Sequence, residues 1–490
     1  MMAVKGLGQV GRLQAGLEIV CVVLVLGAGL NARGQAANPS SLQNAFYGSI
    51  TTSHATDETI HLSLDDAIAR GLKNNLGLKE AENSEKVLLG EKHQALQEFL
   101  PTIALTGGTG IYQHNLAAQG FGPGEVSKFS SIFPGGKIPT GISEITKDDL
   151  TQGQITFSQI LFSGPVIAGW RAAGAATRAA HFAKMSARGE VVQQVATAYL
   201  HVIAAQGEVD NATALEKTDR LGLNQAHEAH EAGTAANLDE LRARVQLQSQ
   251  EQQVIAAQNA LDKDLILLKR EIGIDPGQNV QLSDPAPYSD LAAQTPEEVR
   301  AIAYRNRQDY QNLQNQLVEV KAIHAAYRSQ RLPTLTFGGN WGTDTVNGAG
   351  THGTFMLGGT LSVPIFREAS LRGDEETSRA QMDAVENDLA DTRSHIDQQV
   401  RDALLDVDAA RKLVEVSRSN VDLAKHELSD ETDRVNAGVD DNLPLVTAES
   451  SVATAESNLV ESLYQYNVAK LGLARAAGVL ETQYRDYIGR

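Results

Sequence analysis

The chain has 490 residues, 5% of them aromatic, and a formal net charge of -18. Long stretches of Ala, Gln, Glu, Asp and Arg fit extended helices with thin apolar seams better than two or three globular cores. The acidic excess argues against nucleic acid as a partner.

Taken from the start, Lys5 and Arg12 precede an apolar run at 19–30, and Gly34-Gln35-Ala36 fits a cleavage site before Ala37. Residues 1–36 read as a signal peptide. The run is shorter than the roughly 20 residues a membrane-spanning helix needs. Cys21, the single cysteine, lies inside it. The mature chain is therefore expected to have no disulfide, thiol nucleophile or cysteine-based metal site. No other segment reaches the ~18 apolar residues of a spanning helix, so any entry into a membrane is not helical. Residues 37–61 have no periodicity and read as an extended segment.

The remainder is written twice. Setting Pro101 on Pro333 brings Asn74 onto Asn306, Ala69 onto Ala301 and Asp65 onto Glu297. Setting Gly233 on Gly438 brings Asn237 onto Asn442, Leu238 onto Leu443, Ala243 onto Ala448 and Gly273 onto Gly478. Between them, "LFSG" at 161–164 lies against "IFRE" at 365–368. This internal two-fold repeat comprises halves 62–274 and 296–479, a linker at 275–295 and a tail at 480–490.

Each half predicts the same order. A helix of about 38 residues stops at Pro101 or Pro333. Two alternating stretches follow, then a very long helix that spans roughly 100 Å in the first half. Gly233 or Gly438 supplies the helix-turn C-cap, and a last helix of about 36 residues closes the half. In the second long helix, Ile396, Val400, Ala403, Val407, Ala410, Val414, Ser417, Val421, Ala424, Leu428, Glu431 and Val435 alternate by four and three, a coiled-coil seam. Val192, Val195, Tyr199, Val202 and Val209 form a weaker version in the first half.

The alternating stretches, about 102–113, 150–162, 334–345 and 354–363, place large apolar residues on one parity. These are Ile103, Leu105, Phe157, Leu335, Phe337, Trp341, Phe355 and Leu357. Their length of about ten and their alternation suit transmembrane β-strands. Trp341, Tyr112 and Phe162 near the ends would suit interfacial belts. A soluble hairpin packed on the helices has the same alternation. The signal peptide and the long helices favour the membrane reading. Four strands cannot close a barrel, and open edges in lipid leave backbone groups unpaired. Three copies would supply twelve strands. The Gly-, Ser-, Pro- and Thr-rich loop at 114–149 would be extracellular.

The duplicated "AIARGLKNN" and "AIAYRNR", the "LPT" before each first strand, "SQILFSG", "SVPIF", "AGTAANLDELRAR" and "AGVDDNLPLVTAE" resemble, in that order, the outer-membrane efflux protein family, the TolC or outer-membrane-factor family. The resemblance covers roughly 60–480. It implies a mixed α and β membrane protein, a trimeric twelve-stranded transmembrane β-barrel with four strands per chain. The barrel would be continuous with a long periplasmic α-helical coiled-coil tunnel. It implies a homotrimer in outer-membrane lipid of a Gram-negative bacterium, docked to a periplasmic adaptor (membrane fusion) protein and an inner-membrane pump of RND or ABC type. No catalysis, cofactor or metal is implied.

The turns would form the periplasmic constriction, with Asp239, Asp440, Asp441, Asn237 and Asn442 at the gate. Where family members carry an aspartate pair beyond the turn glycine, this chain has Pro444 and Thr447. Asp440 and Asp441 equally suit solvated N-cap carboxylates. Arg242 and Arg434 are candidates to link neighbouring helices. "HEAHE" at 227–231 spaces its histidines by three, whereas a zincin needs four. The rival to a passive export channel is a periplasmic coiled-coil scaffold or adaptor.

Overall fold

Ser63 opens the first helix. Its Oγ accepts from the Asp66 N–H at 3.1 Å, and Asp65 and Asp66 occupy the first turn, at the positive end of the helix dipole. This helix, α1 (Leu64–Asn74), follows strand β1 (Ile60–Leu62). The computed structural model describes residues 44–52, 54–115, 145–234, 236–285, 288–437 and 442–489. All of these belong to one unit, Ser40–Arg490. The expected signal peptide lies outside the described residues.

The single helix expected before each proline is two helices. Asn75 takes extended angles and caps α2 (Leu76–Gln97), accepting from the Leu78 N–H while its Nδ2 donates to the Phe46 carbonyl. In the second half the break is at Arg307, between α5 (Pro296–Asn306) and α6 (Gln308–Ser329). Thr295 and Glu298 form a capping box ahead of α5. A glycine helix end fills each break. Gly273 at φ +77 abuts Asn74 and the Ile50 carbonyl, and Gly478 at φ +74 abuts the Arg307 backbone. A side chain on either glycine would collide with the crossing chain.

The long helices are α3 (Gly164–Glu231), of 68 residues, and α7 (Glu368–Asn436), of 69. Their return helices are α4 (Asn237–Ile272) and α8 (Asn442–Ala476). Helix α3 packs against α2, α6, α4 and α8, whereas α7 packs against α6 and α8. The seam of α7 buries Ile396, Val400, Ala410, Val414, Ser417 and Val421, and Ser417 Oγ meets Ser462 Oγ of α8 at 2.8 Å. In α3, Val192, Val195, Tyr199, Val202 and Val209 are all buried.

Two segments expected to lack regular structure contain it. Strand β1 pairs in parallel with β4 (Val280–Leu282), Ile60 opposite Val280, so the N-terminal segment and the linker meet. The expected tail is helix α9 (Leu480–Ile488), burying Leu480, Tyr484, Tyr487 and Ile488. That i, i+4, i+7, i+8 spacing is one helical face. Around them Leu62, Leu64, Ile68, Val191, Leu268, Ile272 and Leu471 form the largest core cluster. The Tyr199 hydroxyl braces it, 2.9 Å from the Leu62 carbonyl and 2.7 Å from the Asp284 carboxylate.

The remaining strands are β2 (Thr102–Asn115), β3 (Ile145–Phe162), β5 (Thr334–Val346) and β6 (Thr351–Ser362), in one antiparallel sheet ordered β2-β3-β5-β6. The first pair runs further than expected, because pairing continues to Asn115 opposite Ile145. Of the expected 114–149 loop, residues 116–144 lie outside the described residues. The β5–β6 hairpin turns through Asn347 and Gly348, both with positive φ. No described helix is long and apolar enough to cross a membrane.

Candidate functional site: the two-faced sheet and the helix turns

The register aligns the odd-numbered residues of all four strands on one face. Ile103 lies opposite Phe157, Phe157 opposite Gly339 and Gly339 opposite Leu357. The next row is Leu105, Ile155, Trp341 and Phe355, four large apolar side chains, all exposed. Phe337 and Phe157 meet edge to face at 5.8 Å, and Leu335 lies opposite Leu361. The even-numbered face carries Thr106, Gln154, Thr156, Ser158 and Asn340, and the Asn340 Nδ2 donates to Gln154 Oε1. The sheet thus carries an apolar face whose large side chains are exposed in the single chain and a second, more polar face.

Three expectations about the strand ends are resolved separately. Tyr112 lies opposite Asp148, on the even and polar face, so it cannot join a belt on the apolar side. Trp341 sits within the apolar rows rather than at a strand end. Phe162 lies on the apolar side opposite Leu335, because the register shifts after Ile160. Pro101 and Pro333 each directly precede a strand, three residues beyond Glu98 and Gln330, where the helices end.

At the first helix turn Gly233 has φ +73, and the Gly233 and Thr234 N–H groups close the turn on the His230 and Ala229 carbonyls. Asn237 is the first residue of α4 and is exposed; Asp239 sits in its first turn. Arg242 pairs with Asp239 within the helix at 3.5 Å, and Arg434 reaches Glu431 at 3.1 Å, also within one helix. Both of these pairs are local, within a single helix. Gly438, Asp440 and Asp441 lie outside the described residues. Asn442 begins α8, and Pro444 and Thr447 follow within its first two turns.

Periodicity did not single out several groups near this turn. His227 stands between Glu231 at 3.5 Å and Glu240 at 3.3 Å, and Arg244 also holds Glu240. Asp219 of α3 is buried and hydrogen-bonded to Gln246 of α4, with one carboxylate oxygen unpartnered. Burial and then the Asp219 charge push Glu449 of α8 up to about 7. The only hint in the sequence is a carboxylate falling on a helix face that also carries Ala212 and Ala226. Beside this pair a cleft of about 640 Å³ is lined by Leu238, Leu241, Val245, Val435, Leu445 and Val446. Among the described residues no cluster of His, Cys, Asp and Glu is arranged to hold a metal.

The family description "Outer membrane efflux protein" matches residues 67–273 and 301–479. The toluene efflux pump outer membrane protein TtgC of Pseudomonas putida is 24% identical over 311 residues, 60% of this chain and 62% of that protein. The alkaline protease secretion protein AprF of Pseudomonas aeruginosa is 23% identical over 302 residues, again 60% and 62%. The match thus spans under two thirds of the length of these relatives. Among solved structures, a membrane protein from Pseudomonas aeruginosa superposes with a TM-score of 0.72 at 19% identity, covering 92% of this chain and 99% of that one. The Campylobacter jejuni CmeC outer membrane channel superposes with a TM-score of 0.69 at 16% identity, covering 92% and 94%. These likenesses are of fold, and the matched family is one of transport channels rather than enzymes. The chain belongs to the outer membrane efflux protein family, and its place is the outer membrane, with an extension into the periplasm.

Proposed function

We propose that the chain is the outer-membrane duct of a tripartite efflux or type I secretion system, conducting substrate passively from an inner-membrane pump across the periplasm and outer membrane. The observation that carries this reading is the sheet. It has an apolar face, a polar face and two outer strands, β2 and β6, each paired on one side only among the described residues. In lipid such edges need strand partners. Three copies of the two-half chain close twelve strands. Ile103, Leu105, Phe157, Leu335, Phe337, Trp341, Phe355 and Leu357 then face lipid, and Thr106, Gln154 and Asn340 face the lumen.

The helix turns form the periplasmic mouth. Asp239, Asp440 and Asp441, with Asn237 and Asn442, ring it in three copies and favour cations. A periplasmic adaptor docks there and couples the duct to an RND or ABC pump. Relatives are named for toluene efflux, alkaline protease secretion and pyoverdine export, so small molecules and polypeptides are both within reach of this build.

The test is ion conductance in a planar bilayer, for the wild type and for Asp440→Ala/Asp441→Ala. Small cation-selective steps that lose selectivity in the variant support the duct and its acidic mouth. Steps with unchanged selectivity keep the duct and move the constriction elsewhere. A soluble monomer that never inserts returns the chain to the periplasmic scaffold reading.

A further inference from the structure

The long helix α3 and its return helix α4 border a cavity of about 420 Å³. One wall is a single face of α3, with Glu190, Gln194, Thr197 and His201 spaced by three or four. A second wall is Asp264, Leu267 and Glu271, likewise one face of α4. Tyr464 of α8 and Tyr47 complete the lining. The Ser49 hydroxyl donates to the Glu271 carbonyl, which ties the segment carrying Tyr47 to the end of α4.

The groups of this cavity accept far more than they donate. Glu271 is 3% exposed, and its Oε2 has no hydrogen-bond partner among the described residues. Gln194 Oε1 is also buried and without a partner among them. A buried acceptor that nothing donates to costs free energy. Burial pushes the Glu271 carboxyl up to about 8, because the charged form is disfavoured where it is desolvated. Of the other two carboxylates, Glu190 is held by Arg475 at 3.0 Å, and Asp264 lies 3.0 Å from His201 Nδ1. No lysine or arginine lines the cavity. An anion finds no counter-charge there, whereas a cationic group that only donates finds unclaimed acceptors.

Size and spacing narrow the ligand further. A water takes up about 30 Å³ of liquid, so the cavity is far larger than two orphan acceptors need for water alone. Asp264 and Glu271 stand two turns apart on α4, about 10 Å along its axis. Leu267 lies between them, and Ala198 adds apolar surface. The Tyr464 ring, edge to face with His201 at 5.2 Å, offers a surface that attracts a cation. The order along α4 is carboxylate, apolar strip, carboxylate. A short alkyl chain with an ammonium at each end is its complement.

We propose that this cavity binds a small aliphatic diamine, one ammonium donating to Glu271 and Gln194 Oε1 and the other to Asp264, with the alkyl chain along Leu267. The buried ammonium restores the carboxylate form of Glu271 through a charge-assisted hydrogen bond. Every group involved belongs to one chain. The site is therefore independent of the duct reading above and lies apart from the acidic residues of the helix turns.

Isothermal titration of the detergent-purified protein with 1,5-diaminopentane tests this. Roughly 150 mM salt screens the unspecific attraction of a polycation to a chain of charge -18. Saturable binding of about one diamine per chain is expected. Glu271→Gln keeps the side-chain shape and removes the charge, and should weaken binding at least tenfold. Gln194→Met, which removes the orphan acceptor instead, should weaken it as well and keeps the test open if the first variant does not fold. Thermal melts report folding of both. Asp264→Asn should weaken the diamine while leaving 1-aminobutane unchanged, and 1-aminobutane should bind the wild type at least tenfold less tightly than the diamine.

No saturable binding by the wild type would overturn the proposal and leave the two orphan acceptors to water. Diamine binding that is unchanged in the folded variants, or equal binding of the monoamine, would overturn it too. So would binding that survives Glu271→Gln but is lost in Asp440→Ala/Asp441→Ala, which would put the cation at the helix turns.

Discussion

The Lys470 ammonium lies 3.1 Å from the Ser289 carbonyl oxygen and has no exposed surface. Its Nζ also stands 4.6 Å from the Tyr466 ring centre, and the Tyr466 hydroxyl accepts from the Leu291 N–H. One residue of α8 and its neighbour thus pin the linker to the helices. Burial pushes Lys470 down to about 8, against the opposing pull of Asp290. With the folded pKa below the unfolded 10.5, the folded state binds fewer protons between the two values. Stability gained from this group therefore rises from pH 8 to pH 10.5. Urea unfolding of wild type against Lys470→Met should show the wild type gaining on the variant across that window, by up to about 3 kcal/mol. A constant difference from pH 7 to 10.5 would remove the buried-ammonium account.

Glu449 is the opposite case. Burial, then Asp219, holds its proton up to about 7, above the ordinary 4.5. The folded state keeps an extra proton between those values, so stability falls as pH rises from 4.5 through 7. Glu449→Gln should flatten that fall and leave the tip more stable than wild type at pH 8, by about 1–2 kcal/mol after solvent screening. Hydrogen exchange of residues 215–230 and 445–455 at pH 5 and pH 8 reads this directly. Identical pH profiles for wild type and variant would contradict it.

Leu105 and its neighbour Thr106 point to opposite faces. In lipid vesicles Leu105→Arg should destabilise the folded protein by about 2–4 kcal/mol if it sits near mid-membrane. Thr106→Arg, on the polar face, should change stability by roughly 0.5 kcal/mol or less. Equal effects in both variants would mean that neither face meets lipid.

Gly233 and Gly273 share a left-handed backbone but differ in surroundings. Nothing lies near an added Cβ at Gly233, whereas at Gly273 it would come within 2.6 Å of the Ile50 carbonyl. Gly233→Ala should cost about 1–2 kcal/mol from backbone strain alone. Gly273→Ala should cost a further 1–3 kcal/mol, roughly the range for overpacking. Thermal melts of the two variants check the ranking, and the difference disappears if the α1–α2 break can open freely.

Much of this architecture is carried by local pattern. The parity of Ile103, Leu105, Trp341 and Phe355 is visible in the sequence because strand side chains alternate every residue. The seam from Ile396 to Val435 is visible because helix faces recur every three or four. The breaks at Asn75 and Arg307 were not legible, because what ends the helix there is a glycine helix end arriving from some 170 to 200 positions away. Helix α9 was missed because nine residues after a glycine look like a tail until a core receives Tyr484 and Ile488. At the constriction, Asp239 could be followed to the first turn of α4, while Asp440 and Asp441 fall outside the described residues.

By itself, then, the sequence determined which residues share a face and the order of the long elements, since those depend on backbone geometry over a few residues. Tertiary structure decided which side chains lose water. Lys470 and Asp219 are ordinary charged residues on ordinary helices until a second element covers them. Leu105 is an alternating apolar residue whose place on an outer strand becomes visible only in the order β2-β3-β5-β6. Burial and edge pairing are sums over elements far apart in the chain, and no local window contains them.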